Sequence, residues 1–173
     1  MPATTPTKRA ALAIVDRGHR EVMRLIDDLP PRSLTTTGVG GGAWTPADLV
    51  GHLAAWEGFA LGALGAWARR ERAPIDIALD ERGLNAVNAE ALAEAASLRP
   101  SVLLRRSVET HAALVAAVRA VPADRWARPP WTRGRPLGLR VGSILGGPGG
   151  PFRHADAHLP DLRAFVSSRA RPS

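Results

Sequence analysis

WTPADLVGHLAAWE, residues 44–57, reads as the opening of a buried helix. Thr45 is a natural N-cap, Pro46 suits the first helical position, and Asp48 at the third completes a capping box. From there Leu49, His52, Trp56, Ala60, Ala63 and Trp67 recur at spacings of three and four, so they share one face of a helix that should point into a core. His52 therefore lies on an inward stripe. Glu57 is five residues beyond it, about 140° around the helix. It reads as a surface or helix-pairing carboxylate, or as a general base at a pocket edge.

The same pattern recurs on either side. A helix beginning near Thr7 carries Leu12, Val15, His19, Val22, Ile26 and Leu29 on one face and stops at Pro30 and Pro31. Residues 70–84 are charged and read as a weakly structured linker before a short helix over 85–96. Pro100 restarts the chain, and Val102 to Ala120 reads as a long helix with Leu104, Val108, His111, Val115 and Val118 inward. A loop with Trp126 and Trp131 follows, then a helical stretch over 137–145. The glycines and prolines of 146–151 must interrupt any helix there. The last helix, near residues 152–168, holds FRHADAHLPDLRAF, with His154 and His158 one turn apart and Leu162 and Phe165 continuing their face. No alternating strand pattern runs for more than a few residues. The expected fold is all-α, four main helices in one domain over residues 1–173.

Composition narrows the function. The 173 residues carry no cysteine and no tyrosine, which removes disulfides, thiolate ligands, a cysteine nucleophile and phenolic acid–base chemistry. The N-terminus lacks the apolar core of a signal peptide, and no long apolar run suggests a membrane span. A cytoplasmic protein is expected. Net charge is +7, but the arginines are scattered and no docking motif for nucleic acid occurs, so the expected partner is a small molecule, with no specific nucleic acid and no membrane, bound by a monomer or homodimer.

All five histidines, His19, His52, His111, His154 and His158, fall on inward stripes. Any one alone fits a satisfied core residue; the set points to a polar site. A His pair at i, i+4 with a third histidine from another helix offers three nitrogens with open positions, the catalytic type of zinc or nickel site. The tryptophans read as core packing or as pocket walls, Trp56 and Trp131 among them.

The segments WTPADLVGHLAAWE and FRHADAHLPDLRAF resemble the two histidine segments of the DinB-like four-helix-bundle superfamily, and the closing one is similar to its ClbS/DfsB-like branch. Residues 7–30, 83–95 and 129–137 fit the branch in the same order, so the resemblance covers roughly residues 7–168. It implies that His52, His154 and His158 bind a divalent metal such as zinc or nickel, or act as acid–base groups. It implies that Asn85 and Asn88 line the pocket mouth or cap their helix. The implied activity is hydrolysis or detoxification of a reactive electrophile, a cyclopropane- or epoxide-type genotoxin, as self-resistance. A non-catalytic sequestering protein and a metal-dependent thiol transferase or isomerase are the alternatives. Relatives carry a continuous helix where this chain has GGPGGPF.

Overall fold

Thr7 accepts a hydrogen bond from the Ala10 N–H at 3.1 Å and opens α1, Lys8–Asp27. Thr45 opens α2, Pro46–Ala68, with the expected reciprocal box: its hydroxyl accepts from the Asp48 N–H at 3.0 Å, and the Asp48 carboxylate accepts from the Thr45 N–H at 2.9 Å. Replacing Thr45 by alanine should cost about 0.5–2 kcal/mol. Urea unfolding of the two proteins measures this, and an unchanged midpoint would show the box to be dispensable.

The computed structural model describes residues 5–131 and 133–169, and the fold is all-α. After α2 come α3, Pro74–Ala96; α4, Pro100–Ala120; the short α5, Ala123–Trp126; α6, Leu137–Ile144; and α7, His154–Arg169. Among the described residues the only β-pairing is two isolated bridges, Val39 with Trp44 and Gly147 with Gly150. The central helix is α2, packed along α4 and α3 and touching α6 and α7, while α1 pairs with α7. At the α1–α7 crossing a Cβ on Gly18 would lie 2.8 Å from the Ala155 Cβ, so only glycine lets the two backbones come this close.

Three expectations need correction. Residues 70–84 are no linker. Pro74 starts α3, Ile75 is buried against the core, and the helix runs to Ala96 with a break at Gly83, whose φ of 79° belongs to the left-handed region. On α4 the first half of the stripe is rotated, with Leu103 and Ser107 buried and Val108 half exposed, while Val115 and Val118 are buried as expected and Leu114 joins them. Finally, α2 does have the length and apolarity of a membrane span, but 61% of its most apolar stretch is buried inside the bundle, as in a core helix.

The inward face of α2 divides two apolar clusters. Leu49 and Val50 join Val22, Ile26, Leu162 and Phe165 at one end. Trp56, Ala60, Ala63 and Trp67 join Leu114, Val118, Val141 and Phe152 at the other. His52 lies between them on α2, where the apolar packing changes hands.

Candidate functional site

The phase set by the capping box turns His52 into the bundle, 4% exposed. The other two imidazoles arrive with α7. The loop over 146–153 closes on α6: the Phe152 N–H donates to the Gly142 carbonyl at 3.2 Å and the His154 N–H to the Leu145 carbonyl at 3.0 Å. Phe152 is buried with φ 65°, a conformation rare for a bulky side chain. This fixes the first residue of α7, His154, and helical geometry puts His158 on the same face.

The three rings meet closely. His52 Nε2 and His154 Nε2 are 3.0 Å apart. Ring centroids are 4.8 Å apart for His52 and His154, 5.2 Å for His52 and His158, and 5.2 Å for His154 and His158. One nitrogen from each lies within 4.8 Å of the other two. Trp44 stacks beside His158 at 5.9 Å, and Trp56 meets His154 edge-on at 5.8 Å. The Trp56 indole N–H donates to the Asn88 side-chain oxygen at 3.0 Å.

Burial keeps these imidazoles neutral. It pushes His52 down from 6.5 to about 4, with His158 adding to the effect. His154 falls to about 3, through burial and then the neighbouring His52 and His158. His158 is lowered by burial against the opposing pull of Asp161. His52 Nδ1 is buried with no hydrogen-bond partner, an arrangement that costs free energy.

The donor set suits a divalent ion. Two nitrogens on one ion at about 2.0–2.1 Å lie roughly 3 Å apart when they are adjacent in the coordination sphere. The His52–His154 contact has that length.

The remaining sequence candidates separate. Glu57 does not join the triad. Both its oxygens face His111 Nδ1, at 3.1 and 3.2 Å, while His111 Nε2 meets Asp16 Oδ1 at 3.0 Å and the His111 ring stacks on His19 at 3.9 Å. Burial lowers the pKa of His19 to about 4, with His111 adding to the effect and Asp16 opposing it. For His111 burial acts downward, but the hydrogen bonds and charges of Glu57 and Asp16 outweigh it and the net shift is upward. A cavity of about 30 Å³, lined by His19, Glu57, Ser107 and His154 among others, separates this cluster from the triad.

Trp131 lies elsewhere, with the Arg140 guanidinium 4.6 Å from its ring and 4.5 Å from the ring of Trp67. Arg140 donates to Asp76 at 2.8 Å. Trp67, Asp76 and Arg140 line a groove of about 490 Å³ that reaches Trp56 and includes Arg135 and Ser143. Asn85 is exposed. Sequence reading missed the roles of Asp16, Asp76 and Arg140. Asp16 had a usable signal, three residues before His19 on the same helix.

An all-α bundle whose second helix and last helix aim histidines at one another is of the DinB-like kind. The chain belongs to the mycothiol maleylpyruvate isomerase N-terminal domain family, within that superfamily; the family profile matches residues 15–144, which include His52 and end before α7. Two solved structures share the fold. An uncharacterised protein from Escherichia coli UTI89 superposes with a TM-score of 0.80 at 15% identity, covering 98% of each chain. The colibactin self-resistance protein ClbS, in complex with a dsDNA, gives 0.71 at 16% identity, covering 99% of this chain and 100% of the other. No curated protein matches the sequence at a significant level. The ClbS complex overturns the expectation of a small-molecule partner to the exclusion of nucleic acid. Phosphate contacts need only exposed arginines, so the lack of a docking motif was no ground for that exclusion.

Proposed function

We propose that the triad of His52, His154 and His158 is the reaction centre of a detoxifying enzyme that opens a small electrophile of the epoxide or cyclopropane type with water. One observation carries this: three imidazoles from two helices converge within 4.8 Å under two tryptophans. Imidazoles with pKa values of about 3 to 4 are neutral at physiological pH but poor bases. They are better suited to holding a cation by their lone pairs than to moving protons. A divalent ion held there would supply Lewis acidity toward the electrophile. Trp44 and Trp56 provide apolar walls that limit water, and the groove beside Trp56 gives a ligand a route in.

The test is turnover. Incubation with an aryl epoxide and with an activated cyclopropane should yield ring-opened product in many-fold molar excess over protein. His52→Ala and His154→Ala should each slow it by at least about 10²-fold. A stoichiometric complex with no product would identify a sequestering protein. Family membership favours a second reading, a metal-dependent thiol transferase or isomerase on the same centre; product formed only when a low-molecular-weight thiol is added would establish it. Duplex DNA is carried over from ClbS as a further candidate partner, which a net charge of +7 favours. Binding that weakens steeply with salt is the expected signature.

A further inference from the structure

We propose that His19, Glu57 and His111 form a second divalent-cation site, distinct from the triad, with Asp16 as the positioning residue of His111. The three groups come from α1, α2 and α4, and one donor atom of each lies within 4.8 Å of the other two. Two imidazoles and one carboxylate with further positions open are a recognised ligand set for first-row divalent ions.

The hydrogen bonds sort the roles. His111 Nε2–H donates to Asp16 Oδ1 at 3.0 Å. That leaves Nδ1 to face Glu57, whose oxygens stand 3.1 and 3.2 Å away. A metal-bound histidine commonly gives its other N–H to a carboxylate, which fixes the tautomer and aims the lone pair at the ion. An imidazole nitrogen and a carboxylate oxygen adjacent on one ion at about 2.0–2.2 Å are roughly 3 Å apart. The His111–Glu57 spacing already has this length, and a proton closes the gap where no ion does. His19 lies flat against His111, with ring planes 4° apart. Among the described residues neither His19 nitrogen makes a hydrogen bond, so a lone pair is free there.

Charge and space agree. With neutral imidazoles, Asp16 and Glu57 leave two negative charges in a half-buried cluster, which one divalent cation balances. The adjoining cavity of about 30 Å³ has room for a water or an exchangeable ligand beside the ion. Its wall includes His154, so the two sites share a partition.

Cobalt(II) is the probe, added to full-length protein stripped by chelation, with bound equivalents and the visible absorption band as readouts. Wild type should take up two equivalents. The variant carrying His154→Ala and His158→Ala, folded by circular dichroism, should keep one, and Glu57→Gln in that background should abolish it. Glu57→Gln alone should keep the triad's equivalent. Asp16→Asn should weaken the second equivalent by about 10- to 100-fold and move its band without touching the first. Loss of all cobalt in the double histidine variant, or full stoichiometry in Glu57→Gln, would overturn the second site. A wild-type protein that binds one equivalent, and keeps it in the double histidine variant, would retain the second site while removing the triad's ion. The two proposals thus fail separately.

Discussion

Trp67→Ala should cost about 3–5 kcal/mol of stability, the range for deleting a large aromatic from a packed core. Trp67 is 1% exposed and is the largest fully buried side chain. It contributes more than volume. Its indole N–H donates to Asp76 at 3.1 Å, and its ring carries the Arg140 guanidinium, which donates to the same carboxylate. Removing it opens a cavity and takes away one of the two rings beside the guanidinium. Trp67→Phe separates these effects. It refills most of the space but leaves Asp76 short of a donor, at a cost of about 1 kcal/mol or more beyond the lost volume. Urea titrations give the numbers. A Trp67→Ala loss below about 1 kcal/mol would mean that the α2–α3–α6 corner is not packed as described.

Acid should destabilise the metal-free protein strongly, with the triad as the larger cause and His19, lowered to about 4, adding to it. His52 and His154 titrate near 4 and 3 in the folded chain and near 6.5 when it unfolds. Between these values the unfolded chain binds protons that the folded chain refuses. Their contribution is therefore fully present above about pH 6.5 and is lost as pH falls toward the folded values. By about pH 5 each such histidine gives up roughly 2 kcal/mol, and the rings share one pocket, so the combined loss is several kcal/mol. His111 has the opposite sign: its pKa is raised on folding, so its contribution is complete below 6.5 and fades as pH rises. It cannot offset the acid loss. Denaturation of chelator-treated protein at about pH 7 and pH 5 measures the slope, and His154→Gln should flatten it. Equal slopes for variant and wild type would locate the acid sensitivity elsewhere. Bound metal should steepen the fall, because it needs the same lone pairs.

Much of this molecule was legible in its sequence. The cap at Thr45, the stripe from Leu49 to Trp67 and the pair in the last helix are local patterns, and local patterns follow helical geometry. All six stripe residues of α2 are buried. The first half of α3 was missed because Asp76, Asp80, Glu81 and Arg82 crowd a short segment that ends at a glycine. Its helicity is supported by Ile75 packing into the core and by Asp76 bonding to Trp67 and Arg140, contacts that no local pattern reveals. The first half of the α4 stripe slipped because apolarity was weighed ahead of position: Ser107 is buried and Val108 is not, whereas Val115 and Val118 are buried as expected. Glu57 could be set apart from His52 by angle alone. Its partner, His111, sits 54 residues away on another helix, so their contact depends on how α2 and α4 cross.

The triad is also a closure contact. His52 and His154 are 102 residues apart, and both α7 imidazoles reach the bundle only when the last helix lies down against α1. Contacts of such long separation carry the largest loop entropy and tend to form late. The pairing of α2 with α3 and α4 does not depend on them. Detachment of α7 alone would dismantle the three-nitrogen site and leave the middle of the bundle standing. Hydrogen exchange in α7 is thus a clock for the site, separable from global unfolding.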